Sequence, residues 1–401
     1  MSIAGRNQVG LLHQITSNGP LTWRGGLLLS STSRSLLQLR TIKGSTFGKL
    51  TPGTKFYATS AASPSMDVVL DFDGTITKQD TIATLAAYAV SKRDSTCSGS
   101  VGGTAAQAWD RIVRAYSSDY DAYTASRSGG AAALADDRAH ERMAAVKAEL
   151  AFLNGLRSVE TASIQRIEEA RLFQGITPEE LYRFGSAVVS KGDVQIRRGF
   201  NELVCRARRG RPRHGSGDSR HLAIVSVNWS ADFIRGCCSG CADRRRGSDL
   251  GDLDLEIISN TIEYPTGRIR GFSAGTVAGS DGNDNDTQLL LTARDKLNAV
   301  TRLALSWGRR VDDLVYVGDS ATDLECLLAC KGIVMVPDDY KQDDVGGEQK
   351  NRLLATLQRL GYGRLPHVLK CDPDFKVAWA RDFQEILDSG ILGPGWQSDV
   401  R

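Results

Sequence analysis

Short apolar runs that end at turn-forming residues are typical of buried strands. One such run, Val68 to Leu70, is followed at once by Asp71, Asp73 and Gly74. Because an open α/β sheet places its chemistry at the carboxyl ends of its strands, this strand end is the first candidate site. Further runs of the same kind predict strands at 222–227, 314–317 and 333–336.

Helical periodicity dominates the chain between residues 81 and 190, where Ala, Leu and Ile recur at three- and four-residue spacings with charges between them. The pattern predicts helices at 81–90, 104–116, 137–153 and 158–173. Another helix is predicted to begin at Thr177, because Pro178 takes the first helical position and Glu180 completes a capping box. So long a helical segment indicates an insertion into an α/β core.

The remaining stretches predict fewer regular elements. Residues 257–271 carry glycines and an asparagine at turn positions and predict a hairpin or flap. The acidic stretch 279–286 resembles a calcium loop but lacks the closing Glu at the twelfth position, so disorder is the favoured interpretation. Beyond residue 337 the sequence predicts only short helical stretches such as 351–360.

The composition is that of a globular protein with more than one domain. The chain has 401 residues, of which 41% are hydrophobic and 24% charged, enough for a sizeable core. No run approaches the roughly 18 apolar residues of a membrane helix, so no membrane span is predicted. The cysteines are scattered, and the group Cys237, Cys238 and Cys241 has no second Cys or His pair nearby. Free or buried thiols are therefore favoured over a zinc site.

The first 65 residues differ in charge from the rest. They contain no Asp or Glu, and their seven basic residues are Arg6, Arg24, Arg34, Arg40, Lys43, Lys49 and Lys55. An acid-free, Arg- and Ser-rich start is typical of a mitochondrial transit peptide. We predict a mitochondrial protein, with the matrix as its compartment and cleavage near residues 56–60. A disordered leader on a cytoplasmic protein is the alternative.

Residues 205–220 contain six arginines and one acid. Gly, Pro and Ser separate these arginines, and no aromatic residue is present to stack on a base. A solvated loop is therefore favoured over a nucleic-acid surface, and no nucleic-acid partner is predicted.

The turn after the first strand carries the candidate chemistry. Asp71 and Asp73 can converge on one ligand, one as nucleophile and the other as proton donor or acceptor. Gly74 lets the backbone approach an anion, and the N–H groups of Gly74 and Thr75 can hold phosphate oxygens. With these residues, the stretch DFDGTIT resembles the first motif of the haloacid dehalogenase (HAD) superfamily of phosphohydrolases.

Later residues follow the order of that superfamily's motifs. Ser226 ends the second predicted strand, where the second motif places a hydroxyl that donates to a phosphoryl oxygen. Asn228 is assigned to phosphate binding, and Trp229 either lines a pocket or packs in the core. Lys296 lies 23 residues before Asp319 of the last motif, as the third motif's lysine does. Such an ammonium offsets repulsion between the nucleophile and the phosphoryl group.

The last motif, GDSATD, contains Asp319 and Asp323 after the predicted strand 314–317. Carboxylates that converge without a cation repel one another, so the cluster implies a metal. By resemblance, the ligands are Asp71, the backbone carbonyl of Asp73, Asp319 and Asp323, the last either directly or by orienting the site. Oxygen ligands and phosphate chemistry point to Mg²⁺.

The resemblance covers about residues 66–91 and 195–337 and is nearest to the phosphoserine phosphatase-like branch. It implies an α/β fold with a doubly wound parallel sheet, a Rossmann-type core formed by 66–85 and 195–401. A helical cap domain at 86–194 is inserted into this core.

The expected function is a magnesium-dependent phosphatase for a small phosphorylated metabolite. By resemblance, Asp71 forms an aspartyl-phosphate while Asp73 acts first as acid and then as base. A phosphotransferase or mutase of the same fold, and a non-catalytic binding protein that retains the fold, stay open as alternatives. Substrate and oligomeric state do not follow from the sequence.

Overall fold

The computed structural model describes residues 66–96, 104–127, 138–209, 220–241, 255–272, 288–342, 351–372 and 374–397. Three predictions made from the sequence fall outside these residues. They concern the leader, most of the Arg-rich stretch and the acidic stretch 279–286.

A parallel sheet forms the centre of the fold. The strands are β1 (Asp67–Leu70), β2 (Leu222–Val225), β3 (Glu256–Ile258), β4 (Thr261–Glu263), β5 (Arg268–Arg270), β6 (Leu314–Gly318), β7 (Lys331–Met335) and β8 (Val377–Ala380). Six of them pair in the order β3-β2-β1-β6-β7-β8, all parallel, while β4 and β5 form a separate antiparallel hairpin. The strand order reverses between β1 and β6, so the prediction of a doubly wound parallel sheet is confirmed.

Helices cover both faces of this sheet. They are α1 (Ile82–Thr96), α2 (Ala105–Arg127), α3 (Arg138–Gly155), α4 (Arg157–Glu169), α5 (Pro178–Lys191), α6 (Phe200–Arg209), α7 (Ala231–Gly240), α8 (Ala293–Ser306), α9 (Leu324–Ala329), α10 (Arg352–Leu357) and α11 (Phe383–Ser389). None of these described helices combines the length and apolar character needed to cross a bilayer.

The central strand β1 is buried on both faces, which explains its continuous apolar run. Val68 and Leu70 pack into one hydrophobic cluster, and Val69 packs into a second cluster on the opposite face. This alternation follows from the two-residue period of a strand. The first strand is therefore anchored in both halves of the core immediately before Asp71.

Two parts of the fold differ from the sequence prediction. Residues 256–258 form an edge strand of the main sheet, so the predicted hairpin is confined to β4 and β5. The tail contributes β8 and α11, neither of which the sequence analysis predicts. A strand of three or four residues is too short for its periodicity to be distinguished from a loop.

The predicted helix start at Thr177 is present as α5. The Thr177 side chain accepts the Glu180 N–H, the Glu180 carboxylate accepts the Thr177 N–H, and Pro178 occupies the first turn. α5 packs closely against α7, which follows β2 of the sheet. The segment predicted to form a cap thus makes its tightest helix contact with the core. That residues 86–194 form a separate domain stays a prediction.

Glycines make the contact between α5 and α7 possible. A Cβ atom on Gly236 would clash with the backbone carbonyl of Tyr182, and one on Gly185 with that of Phe233. A Cβ on Gly240 would lie 2.6 Å from the Ser186 carbonyl oxygen. Small residues at these crossing points let the two backbones approach one another.

We expect Gly236→Ala to lower the free energy of unfolding by at least about 1–3 kcal/mol, because the methyl group meets backbone that cannot rotate away. Urea denaturation followed by circular dichroism measures this change. Ser190→Ala, an exposed position on the same helix pair, is the control and should change stability by less than about 0.5 kcal/mol. Equal effects of the two substitutions would contradict the close-packing argument.

Candidate active site

The carboxyl ends of β1 and β6 lie side by side at the point where the strand order reverses. Leu70 is in register with Val317, and the Asp71 N–H donates to the Val317 carbonyl at 2.9 Å. Asp71 and Asp319 therefore leave the sheet next to each other. This is the edge at which doubly wound sheets bind ligands.

Lys296 reaches this edge from the first turn of α8. The start of that helix is held by a reciprocal capping box between Thr292 and Asp295. The Lys296 ammonium is fully buried and donates to Asp71 Oδ1 at 2.5 Å and to Asp323 Oδ1 at 2.6 Å. One ammonium thus bridges the carboxylates that follow two different strands.

Asp323 is held by donors on both of its oxygens. Its Oδ1 accepts from the Tyr316 hydroxyl at 2.7 Å as well as from Lys296, and its Oδ2 accepts the N–H groups of Asp319 at 3.1 Å and Ser320 at 3.0 Å. The side chain is completely buried. This geometry suits a carboxylate that orients its neighbours.

The charges of the site are unevenly compensated. Burial raises the pKa of Asp71 to about 7, with Asp323 adding to the rise and Lys296 opposing it. Burial and the charges of Asp71 and Asp323 hold the pKa of Asp319 well above its ordinary value. Burial would also raise the pKa of Asp323, but the Lys296 charge and the hydrogen bonds of Asp323 leave it lowered. The ionised forms of Asp71 and Asp319 are therefore poorly compensated by the protein, and a bound cation would stabilise them.

The turn after Asp71 is pressed against Asp319. Gly74 has φ of +74°, and a Cβ atom there would clash with the Asp319 carboxylate. The Thr75 hydroxyl donates to Asp319 at 3.0 Å, and the Gly74 N–H donates to the Thr77 hydroxyl at 3.1 Å. Gly74 is thus required by the approach of a carboxylate, whereas the sequence argument assigned it to the approach of an anionic ligand.

Asp73 is held separately from the charged cluster. Its Oδ1 accepts the Thr81 N–H at 2.9 Å and the Thr81 hydroxyl at 2.6 Å, and its Oδ2 accepts from the Asn228 amide at 2.8 Å. Three donors therefore orient one carboxylate.

Ser226 and Asn228 lie at the carboxyl end of β2 and are fully buried. The Ser226 hydroxyl accepts the Asn228 N–H at 3.2 Å. The structure thus places Asn228 beside Asp73, with Ser226 supporting the Asn228 backbone.

A cavity of about 260 Å³ opens between these groups. Its lining is mainly polar or charged and comprises Asp71, Asp73, Gly74, Lys78, Gln79, Asp80, Val227, Lys296, Asp319, Ser320 and Thr322. Asp71, Asp73, Lys296 and Asp319 therefore share one space. Thr75, Ser226, Asn228 and Asp323 are buried around it.

Thr81 and Tyr316 contact the site but are not predicted from the sequence as site residues. Thr81 directly precedes α1, and a Thr before a helical run was the available signal. Tyr316 lies inside a strand, where nothing in the local pattern distinguishes its hydroxyl from that of any buried tyrosine.

Trp229 and the clustered cysteines lie outside the cavity lining. Trp229 is buried and makes edge-to-face contacts with Trp109 at 6.2 Å and Phe173 at 5.9 Å between ring centroids, so it packs in the core. Cys237 and Cys238 are buried free thiols whose pKa values are raised mainly by burial. The interpretation as free or buried thiols agrees with this.

Comparison with known sequences adds one relative. No protein-family model matches the chain. The CTO1 family protein C17G9.12c of Schizosaccharomyces pombe is 27% identical over 279 residues, which cover 69% of this chain and 84% of that protein.

Solved structures similar to this fold include a phospho-aspartyl intermediate analogue of phosphoserine phosphatase, with a TM-score of 0.36 and 14% identity over 81% of this chain and 99% of that one. A HAD family hydrolase from Salmonella enterica serovar Typhi has a TM-score of 0.36 and 14% identity over 69% of this chain and 63% of that one. Cytosolic 5'-nucleotidase IIIB bound to cytidine has a TM-score of 0.31 and 12% identity over 75% and 89% of the two chains. The structural neighbours of this chain thus include phosphoserine phosphatase and a HAD family hydrolase.

Proposed function

We propose that this protein is a HAD-type phosphatase that hydrolyses a small phosphorylated metabolite through an aspartyl-phosphate on Asp71. The observation that carries the proposal is that Asp71, bound by Lys296 at 2.5 Å, shares a polar cavity with Asp73. Thr81 and Asn228 orient the Asp73 carboxylate. A carboxylate nucleophile and a separately held acid or base in one cavity suit displacement at phosphorus.

A divalent cation fits the donors of this site. Carboxylate oxygens of Asp71, Asp319 and Asp323 lie within 4.8 Å of one another. Asp71 and Asp319 would hold the cation together with the Asp73 carbonyl, and Asp323 would orient them because both of its oxygens already accept hydrogen bonds. An all-oxygen donor set favours Mg²⁺, which when bound would offset charge on the phosphoryl oxygens.

The reaction can be written with the chain's own residues. Asp71 attacks phosphorus, the ester P–O bond breaks as the Asp71 O–P bond forms, and Asp73 gives its proton to the leaving oxygen. Asp73 then takes a proton from the water that hydrolyses the aspartyl-phosphate, which releases inorganic phosphate and restores Asp71. Lys296 offsets the negative charge that surrounds the transferred group.

The cavity favours a compact, hydrophilic substrate. Its volume of about 260 Å³ is below the roughly 300–1,000 Å³ of typical drug-sized ligand sites. Among the described residues, no aromatic side chain lines it, whereas Lys78, Gln79 and Asp80 belong to the lining together with Asp71, Asp73 and Asp319. A phosphate ester with a short polar leaving group therefore fits better than one with a base or an acyl chain.

We expect purified protein to hydrolyse small phosphate esters only with Mg²⁺ present. Asp71→Asn should lower kcat to background, because it removes the nucleophile, and Asp73→Asn should lower kcat by about 10²–10⁴-fold, because it removes the acid and base. Release of inorganic phosphate across a panel of small phosphate esters, with EDTA as the metal-free control, measures both effects.

The same assay separates the alternatives. Asp110→Asn, an exposed carboxylate on α2, is the matched control and should keep wild-type kcat. Phosphate transferred to an added alcohol or sugar in preference to water would indicate a phosphotransferase. Full activity of Asp71→Asn would exclude the proposed nucleophile, and no turnover by folded wild type on any ester would favour the binding-protein alternative.

We expect Asp71→Asn to be more stable than wild type in metal-free buffer at pH 8. The folded-state pKa of Asp71, about 7, lies above its ordinary value of 3.8, so the stability that its protonated form contributes is lost as pH rises through 7. The advantage of the variant should grow from pH 4 to pH 7 and then level off.

Urea unfolding in EDTA across this pH range measures that advantage, with Asp110→Asn as control. Added Mg²⁺ should raise the melting temperature of wild type more than that of Asp71→Asn. A variant that is less stable than wild type at every pH would show that Asp71 is fully compensated by Lys296.

A further inference from the structure

Arg197 is a buried cation that the proposed chemistry does not use. Its side chain is 5% exposed, and it lies just after the long helical insertion, in the segment that leads back into the core. Arginine carries five donors in a planar arrangement, and burying them is costly unless each finds an acceptor. The acceptors of this guanidinium therefore indicate what it holds.

Its hydrogen bonds go to backbone carbonyls, and Nη1 also forms an ion pair with the exposed Asp338 carboxylate at 3.5 Å. The guanidinium donates to the Gly74 carbonyl from Nη2 at 2.8 Å and from Nε at 3.3 Å, and Nη1 donates to the Val336 carbonyl at 3.0 Å and the Arg381 carbonyl at 2.9 Å. Gly74 follows β1, Val336 follows β7 and Arg381 follows β8. One side chain thus joins the carboxyl ends of three strands of the sheet.

The Gly74 carbonyl belongs to the turn that touches Asp319. The hydrogen bonds from Arg197 to this carbonyl limit movement of the turn away from the end of β6. At that end, the Gly74 backbone and the Thr75 hydroxyl contact the Asp319 carboxylate. The Thr75 hydroxyl also lies 3.4 Å from Asp71 Oδ2, so the same turn contacts both carboxylates. Without the hydrogen bonds from Arg197, repulsion between the carboxylates would move the turn away from Asp319.

The backbone around Arg197 is tied to the same turn. The Arg197 N–H donates to the Ile76 carbonyl at 2.9 Å, and the Lys78 N–H donates to the Gln195 carbonyl at 2.9 Å. These bonds join the two segments through which the helical insertion leaves and re-enters the core. The guanidinium is therefore anchored next to the turn it holds.

We propose that Arg197 is a positioning residue for catalysis, which holds the Asp73–Gly74–Thr75 turn against Asp319 so that the two strand ends keep a reactive geometry. This inference rests on the proposed phosphatase function. A purely structural guanidinium would affect folding alone, whereas a positioning residue also affects turnover and cation binding in the folded protein.

The test compares Arg197→Met and Arg197→Lys with Arg198→Met. Arg198 is the adjacent arginine, mostly exposed, and pairs with Asp382 at 3.0 Å, so its substitution removes an equal charge without touching the turn. For each protein, kcat and KM for the best phosphate ester, the Mg²⁺ concentration for half-maximal rate and the melting temperature are measured, with assays at least 15 °C below melting.

We expect Arg197→Met to lose about 10²-fold in kcat with KM changed less than about threefold, because misplacement of reacting groups by about 1 Å has an effect of this size. Its half-saturating Mg²⁺ concentration should rise. Arg197→Lys should be intermediate, because an ammonium can hold one carbonyl but not three. Arg198→Met should stay within about twofold of wild type.

A folded Arg197→Met or Arg197→Lys with wild-type kcat and Mg²⁺ dependence would overturn the inference. If Arg197→Met does not fold, the lysine variant decides, because it keeps the charge. The shift of melting temperature on adding Mg²⁺ needs no turnover and should be smaller in Arg197→Lys than in Arg198→Met. Wild type that neither turns over esters nor responds to Mg²⁺ would refute the proposed function itself, and this inference with it.

Discussion

The structure depends on the way in which one buried ammonium compensates a group of buried carboxylates. Lys296 lies between Asp71 after β1 and Asp323 after β6, and it contacts both at hydrogen-bonding distance. Ionised carboxylates do not remain buried together unless charge or hydrogen bonds stabilise them. Three features of the fold support this arrangement: the capped start of α8, the register of β1 on β6 and the glycine at position 74.

The negative charges of these carboxylates are not all compensated to the same extent. Asp323 has four donors besides its share of Lys296, whereas Asp71 and Asp319 have raised pKa values. Uncompensated charge destabilises the folded chain, so its retention at a strand edge is typical of a functional site. The same lack of compensation that lowers stability would attract a cation.

The sheet explains why the site lies where it does. β1 and β6 are neighbours in space although a helical insertion and four other strands, two of them in the same sheet, separate them along the chain. At the reversal of strand order, the turns that follow these strands diverge and leave a crevice. The glycines between α5 and α7 bring the last helix of the insertion onto the helix that follows β2 of the sheet.

The sequence by itself determined the elements that depend on local pattern. The apolar run before Asp71, the capping box at Thr177 and the order of the acidic motifs predicted the parallel sheet, the inserted helices and the residues Asp71, Asp73, Lys296 and Asp319 that share the cavity. These features require only neighbours along the chain, or a motif order resembling a known superfamily.

Only the tertiary structure decided how distant residues pair. It placed Asn228 on Asp73, Tyr316 on Asp323 and Arg197 on Gly74, and it made the tail supply an edge strand. Asn228 and Asp73, like Arg197 and Gly74, lie more than a hundred positions apart and meet through strand register and helix docking, whereas Tyr316 and Asp323 are seven positions apart. A hydroxyl or guanidinium inside a buried segment has no local signature of its partner, because that partner is set by the fold as a whole.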